Sequence, residues 1–157
     1  MPPRTAMKRA DHRALIILLR VVGVLCCTAV FTCVMPTAWI AETHQWFGLG
    51  DFPDAPITQY LARSISVLYA IFGVLTILVS TDVLRYAPII RFLTYVTLAF
   101  AVLITGIDWM AGLPTYWTLL EGPPTFILGI VILLLVRRVG RGNGSGSFPC
   151  LMPLDPS

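Results

Sequence analysis

The chain has 157 residues, of which 57% are hydrophobic and 12% are charged, and its mean hydropathy is +0.82. Soluble domains carry about 25% charged residues, so this composition excludes a soluble globular protein and indicates an integral membrane protein. The net charge of +3 does not point to nucleic-acid binding, because the basic residues lie at the ends of apolar runs rather than on a soluble patch.

The first apolar run predicts a membrane span over residues 14–35, since about 20 apolar residues cross a bilayer. It follows a basic segment, 1–13, and this order also suits a signal peptide. The run is long, however, Arg20 interrupts it, and Pro36 and Trp39 follow it where a signal peptidase needs small residues. We therefore expect an uncleaved span behind a cytoplasmic N-terminus.

The segment 36–59 contains no Lys or Arg and is rich in aromatic residues. Apolar and aromatic side chains recur in it at helical spacing: Trp39, Ile40, Thr43, Trp46 and Phe47. Gly48 and Gly50 end this pattern. The segment predicts a short helix lying on the membrane surface, followed by a Pro-rich turn.

Three more spans are predicted over residues 60–80, 92–110 and 121–136. A short hairpin with Arg85 and Arg91 joins the second span to the third, and residues 111–120 form a return loop. Pro123 and Pro124 suit the first turn of the fourth helix. The sequence thus predicts an all-α, integral membrane four-helix bundle over 14–136, with a Gly-, Ser- and Pro-rich disordered tail over 137–157.

The distribution of basic residues predicts the orientation. Arginines and lysines flank the N-terminal segment, the short hairpin and the C-terminal end, whereas the two other loops have none. Basic residues are retained on the cytoplasmic side, so both termini should be cytoplasmic. All four tryptophans fall on the opposite side, as an interfacial aromatic belt would place them.

Each span carries one stripe of small or polar residues at helical spacing, and we expect these stripes to face one another. Beyond the charged positions, the predicted packing residues are Gly23, Cys27, Ser66, Ala70, Gly73, Thr97, Ala101, Thr105, Thr125 and Gly129. Small residues let helices approach closely in lipid, where packing drives association.

Three charges form a candidate intramembrane cluster: Arg63, Asp108 and Glu121. The predicted span boundaries place them at one depth, where a cation needs a counter-charge. They fit either a salt bridge that joins three helices or an anion or proton site.

Other chemistry has little support in the sequence. Cys26, Cys27 and Cys33 share one span without a CxxC motif, which favours small core residues over thiol exchange. His44 is the only histidine on its side of the membrane, so no metal site is expected. We expect no cofactor.

Residues 60–93, YLARSISVLYAIFGVLTILVSTDVLRYAPIIRFL, combine an early arginine in a span, a later Tyr and Gly, and a charged hairpin. This pattern resembles small four-span bacterial membrane proteins of the DoxX-like kind. The resemblance implies a bacterial inner-membrane location and association with a larger membrane complex, and it carries over no catalytic residue.

We therefore expect a non-enzymatic membrane protein, an accessory or interaction subunit in contact with the bilayer and with a membrane-protein complex or a second copy of itself. One alternative is a small transporter or channel that uses Arg63, Asp108 and Glu121. Another is a membrane thiol oxidoreductase.

Overall fold

The structure is a computed structural model that describes residues 4–141, with side chains from 9 to 140. The described chain is helical, with the elements α1 (Arg4–Thr28), α2 (Val30–Val34), α3 (Thr37–Trp46), α4 (Pro56–Val79), α5 (Ala87–Ala111) and α6 (Thr115–Arg141). Four stretches are long and apolar enough to cross a membrane: Arg9–Val34, Pro56–Val79, Ala87–Ala111 and Thr115–Gly140. The predicted all-α bundle with a short interfacial helix is confirmed.

Proline and glycine place the helix boundaries. Pro56 and Pro88 lie in the first turns of α4 and α5, where the missing N–H costs no helical hydrogen bond. Gly112 ends α5 with φ of 70°, a left-handed conformation that glycine adopts without steric cost. The connections 80–86 and 112–114 are short, so α5 runs antiparallel to α4, and α6 to α5.

Two helix pairs make the main contacts of the bundle. α5 packs along α6, and α1 packs along α4, while α1 also joins the two pairs by contacting α6. α2 continues the packing of α1 against α4. α4 and α5 touch only slightly, with Tyr69 and Phe100 in edge-to-face contact at 6.5 Å between ring centroids. The boundary between α4 and α5 is therefore the most weakly packed side of the bundle, and we call it the α4/α5 seam.

The apolar core lies at one end of the bundle, which we call the basic end because Arg85, Arg91, Arg137 and Arg138 are exposed there. Its buried residues come from all four spans and from the α4–α5 connection: Leu15, Leu19, Val79, Val83, Ile90, Ile132 and Val136. The other end, which we call the aromatic end, carries α3 and the α5–α6 connection. Apolar packing thus closes the basic end of the bundle.

The helices are longer than the predicted spans. α6 begins at Thr115, directly after Pro114, so the α5–α6 connection is limited to residues 112–114 instead of a loop over 111–120. Pro123 and Pro124 consequently lie inside α6 rather than in its first turn. The disordered tail was predicted over 137–157, but residues 137–141 belong to α6. Residues 1–3 and the rest of the predicted tail, 142–157, lie outside the described residues.

Arg20 lies within the first span, Arg9–Val34, as predicted, in the half of that span nearer the basic end. A Cβ atom on Gly23 would be 2.6 Å from Ile77 Cγ1, so Gly23 faces the last turn of α4. Arg20 precedes Gly23 by about 4.5 Å along α1, which brings it level with the end of α4. The exposed Arg20 side chain therefore belongs to the basic end.

Candidate intramembrane charge site

Arg63 of α4 binds the end of the first span. Its Nη1 donates a hydrogen bond of 3.0 Å to the carbonyl oxygen of Cys33, and its Nη2 donates one of 3.2 Å to the carbonyl oxygen of Met35. The last carbonyl groups of a helix have no partner within the helix and carry the negative end of its dipole. The partly buried guanidinium therefore caps α2, and its charge is balanced by carbonyl oxygens.

The expected pairing of Arg63 with Asp108 or Glu121 does not occur in this structure. Among the described side chains, no carboxylate lies within 4.0 Å of the Arg63 guanidinium nitrogens. α4 packs on α1 and α2 and barely touches α5, so the nearest acceptors for Arg63 are those of α2. All three charges are at the aromatic end, but the structure does not join them. Their action as one functional cluster stays a prediction.

Asp108 is the most unusual polar group of the bundle. Its side chain is 2% exposed, and its Oδ2 atom is buried without a hydrogen-bond partner in the described part of the chain. Asp108 shares one face of α5 with Ile90, Thr94 and Ala101, which are also buried. A buried polar atom without a hydrogen-bond partner costs about 1 to 3 kcal/mol, so the Oδ2 atom would be stabilised by a hydrogen-bond donor.

Glu121 of α6 lies close to Asp108. The two carboxylates are within electrostatic range of each other, and the Trp117 side chain, one turn earlier on α6, interacts with Glu121. Glu121 is also within electrostatic range of Tyr69 on α4. Asp108 and Glu121 thus both lie near the aromatic end, where Asp108 is buried, Glu121 is half-buried and the apolar core is absent.

The predicted small residues of α1 and α4 do face one another. A Cβ atom on Gly73 would lie 2.6 Å from the Gly23 carbonyl oxygen and 2.8 Å from the backbone nitrogen of Cys27. Cys27 Sγ contacts the Ala70 carbonyl oxygen at 3.7 Å. The two backbones meet at these glycines, because any side chain would hold the helices apart.

The α5–α6 pair uses a second close contact. A Cβ atom on Gly122 would lie 1.8 Å from Thr105 Oγ1 and 3.2 Å from the Ala101 carbonyl oxygen. A Cβ atom on Gly129, seven residues later, would likewise lie 2.7 Å from Leu98 Cδ2. The sequence analysis missed Gly122 because that residue fell at the predicted helix start. Its spacing of seven residues from Gly129 is the signal that would have revealed it.

Most remaining hydroxyl groups of the predicted stripes are satisfied within their own helices. Each donates to the carbonyl oxygen four residues earlier, at 2.7 to 2.9 Å: Ser66 to Ala62, Thr97 to Leu93, Thr105 to Ala101 and Thr125 to Glu121. Such bonds let a hydroxyl lie in an apolar interface without an unpaired donor. These residues therefore serve helix packing.

The cysteines lie apart from any cluster of metal ligands in the described part of the chain. Cys26, Cys27 and Cys33 are free thiols of intermediate burial. No three His, Cys, Asp or Glu side chains gather within 9–140 in a way that could hold a metal ion.

The fold and this site define a four-span helical membrane protein with two acidic groups near one end. No protein-family description, curated protein or solved structure matches the chain.

Proposed function

We propose that the protein is a non-enzymatic accessory subunit that binds a transmembrane helix of a partner membrane protein at the α4/α5 seam. The observation that carries this proposal is the buried Asp108 Oδ2 atom without a partner. Asp108 belongs to α5, one of the two helices that border the seam, and it is 2% exposed, so a partner helix would have to displace the side chains that cover it.

A partner helix would relieve the energetic cost of this site. Polar side chains that hydrogen-bond across helices stabilise association in lipid by about 1 kcal/mol each, and pairing a buried charge contributes more. The partner helix would place a Lys, Arg, Asn or Ser side chain next to Asp108. The satisfied hydroxyl groups of the other stripes support a packing role rather than a chemical one.

Photo-crosslinking in native membranes tests the proposal. A photoreactive amino acid is placed at Tyr69 or Phe100, which border the seam, and at Val24 as a control, because Val24 is 55% exposed on α1. We expect one and the same membrane protein to be captured from both seam positions and not from Val24. Asp108→Asn should reduce the yield of this adduct several-fold, whereas Asp54→Asn, which changes an exposed carboxylate, should not.

Equal adducts from the seam and from Val24, or adducts that are insensitive to Asp108→Asn, would contradict the partner-helix proposal. An adduct formed only with a second copy of this chain would establish a homo-oligomer instead.

The second candidate is a small transporter, and the proximity of Asp108 and Glu121 favours it. Two carboxylates at one intramembrane site can share a proton or hold one monovalent cation. The apolar core at the basic end is a barrier that such a transporter would have to open.

A proton-flux assay distinguishes the two functions. It uses purified protein in liposomes with an imposed pH gradient and a trapped pH dye. Proton flux that is lost in both Asp108→Asn and Glu121→Gln would favour transport.

We further propose that the protein lies in a bacterial inner membrane with both termini in the cytoplasm. The exposed arginines at the basic end support this orientation. A reporter fused after Gly140 should be active only in the cytoplasm, and one inserted at Asp51 only outside it. An external reporter at Gly140 would overturn the orientation.

A further inference from the structure

α3 carries an open groove of about 330 Å³ on the side of the helix away from the bundle. Its lining residues are Met35, Trp39, Glu42, Thr43 and Trp46. Ile40, on another face of α3, is buried against the rest of the protein. Trp39 and Trp46 are 61% and 80% exposed, so both indole rings are available to a ligand or to the membrane interface.

The groove places a carboxylate between two aromatic residues, a spacing that suits the binding of a cation. Trp39, Glu42 and Trp46 are separated by three and four residues, so they share one face of the helix with the carboxylate between the two rings. The two indole rings line the same groove as Glu42, and an aromatic face attracts a cation that lies within roughly 6 Å of the ring centroid.

The charge of the aromatic end favours the same class of ligand. Glu42 forms no ion pair within the described residues 9–140. The connecting segments of this end contain Glu42, Asp51 and Asp54 but no Lys or Arg, and the nearby Arg63 is held by the carbonyl oxygens of α2. An anionic lipid headgroup would be repelled here, whereas an ammonium group would be attracted.

We propose that this groove binds the ammonium headgroup of a zwitterionic phospholipid of the surrounding bilayer. α3 is an interfacial helix next to the membrane spans, so its outer face lies at the depth of the lipid headgroups. The two indole rings would hold the ammonium group by cation–π attraction, and Glu42 would supply the counter-charge. This inference is independent of the α4/α5 seam, because it uses none of the same residues.

Native mass spectrometry of the full-length protein in detergent tests the inference. The protein is titrated with dioleoyl-phosphatidylcholine, dioleoyl-phosphatidylethanolamine or dioleoyl-phosphatidylglycerol, which share their acyl chains. We expect the two zwitterionic lipids to bind more tightly than phosphatidylglycerol. Glu42→Gln and Trp39→Leu should each weaken the binding of the zwitterionic lipids about threefold or more. Both variants should therefore show a smaller preference for zwitterionic lipids over phosphatidylglycerol.

Matched controls separate this site from general interfacial anchoring. Trp109→Leu removes an indole at the same end of the bundle that is 80% exposed, like Trp46, but lies outside the groove. Asp54→Asn removes an exposed carboxylate outside the groove. Both variants should keep the lipid preference of the wild type.

Three results would overturn the inference. The first is an unchanged preference in Glu42→Gln and Trp39→Leu. The second is an equal loss of phosphatidylglycerol binding in these variants, which would indicate anchoring without headgroup recognition. The third is displacement of phosphatidylcholine by an equal concentration of soluble phosphocholine, which would show that the ligand is a free ammonium compound rather than a lipid.

Discussion

The Arg63 guanidinium lies against the carbonyl oxygen of Cys33 at 3.0 Å, so that a cation of the second span caps the end of the first. A charge inside a membrane protein is usually matched by an opposite charge. Here the last carbonyl groups of α2 take that role, which explains how α4 holds α2 in place with its arginine.

Arg63→Ala should therefore destabilise the protein by about 2 kcal/mol, because hydrogen bonds to charged groups contribute about 1.5 to 3 kcal/mol. The measurement is the free energy of unfolding in detergent. Arg63→Lys keeps the charge but loses the paired geometry of the guanidinium. Its free energy of unfolding should therefore lie between those of the wild type and Arg63→Ala. Asp108→Asn should change the free energy of unfolding by the same amount in the wild type and in the Arg63→Ala variant, because Arg63 and Asp108 do not pair. A coupling above about 0.5 kcal/mol would show that they do.

Gly73→Ala should separate α1 from α4, because the new Cβ atom would lie 2.6 Å from the Gly23 carbonyl oxygen and that backbone atom cannot rotate away. Overpacking of this kind costs about 1 to 3 kcal/mol. The control is Gly106→Ala on α5, where nothing lies within 4 Å of the new atom. The thermal midpoint in detergent should fall only for Gly73→Ala. Equal midpoints for both variants would contradict the close approach of these helices.

Asp108→Asn should stabilise the isolated protein. The substitution keeps the size of the side chain and removes the charge from a site whose Oδ2 atom has no partner, and a buried unpaired charge costs more than a buried neutral amide. The exposed Asp54→Asn should stay within about 0.5 kcal/mol of the wild type. A loss of stability in Asp108→Asn would mean that the carboxylate has a partner within the isolated protein.

Tyr116→Phe should loosen the connection between α3 and α4. The Tyr116 hydroxyl donates a hydrogen bond to the Phe47 carbonyl oxygen, and the Phe47 ring packs edge-to-face on Trp117 at 5.7 Å. Limited proteolysis within residues 48–55 should become several-fold faster, since one such hydrogen bond contributes about 1 kcal/mol. Tyr60→Phe, at a tyrosine that is 64% exposed, is the control and should be cleaved like the wild type.

Hydropathy and the positions of glycine and proline at helix ends determined the architecture from the sequence alone. A run of about 20 apolar residues has to cross a bilayer as a helix, because lipid offers no partner to unpaired backbone groups. The glycines after α3 likewise marked a real boundary, and Pro56, which was predicted to lie in a turn, is the first residue of α4. The aromatic residues of 36–59 correctly predicted an interfacial helix, and the glycines of the first two spans correctly predicted their contact.

The tertiary structure alone decided which charges and small residues meet. Sequence gives the depth of a residue in the membrane, but it gives neither the order of the helices around the bundle nor the rotation of each helix. Arg63 and Asp108 were expected to pair because both lie toward one end, yet α4 packs on α1 and α2 and leaves α5 on the far side of the seam. Gly122 was missed because Pro123 and Pro124 resemble a helix start, although α6 already begins at Thr115. Lipid satisfies apolar side chains at every rotation, so contacts between backbones and polar groups, which the linear sequence does not pair, fix how these helices assemble.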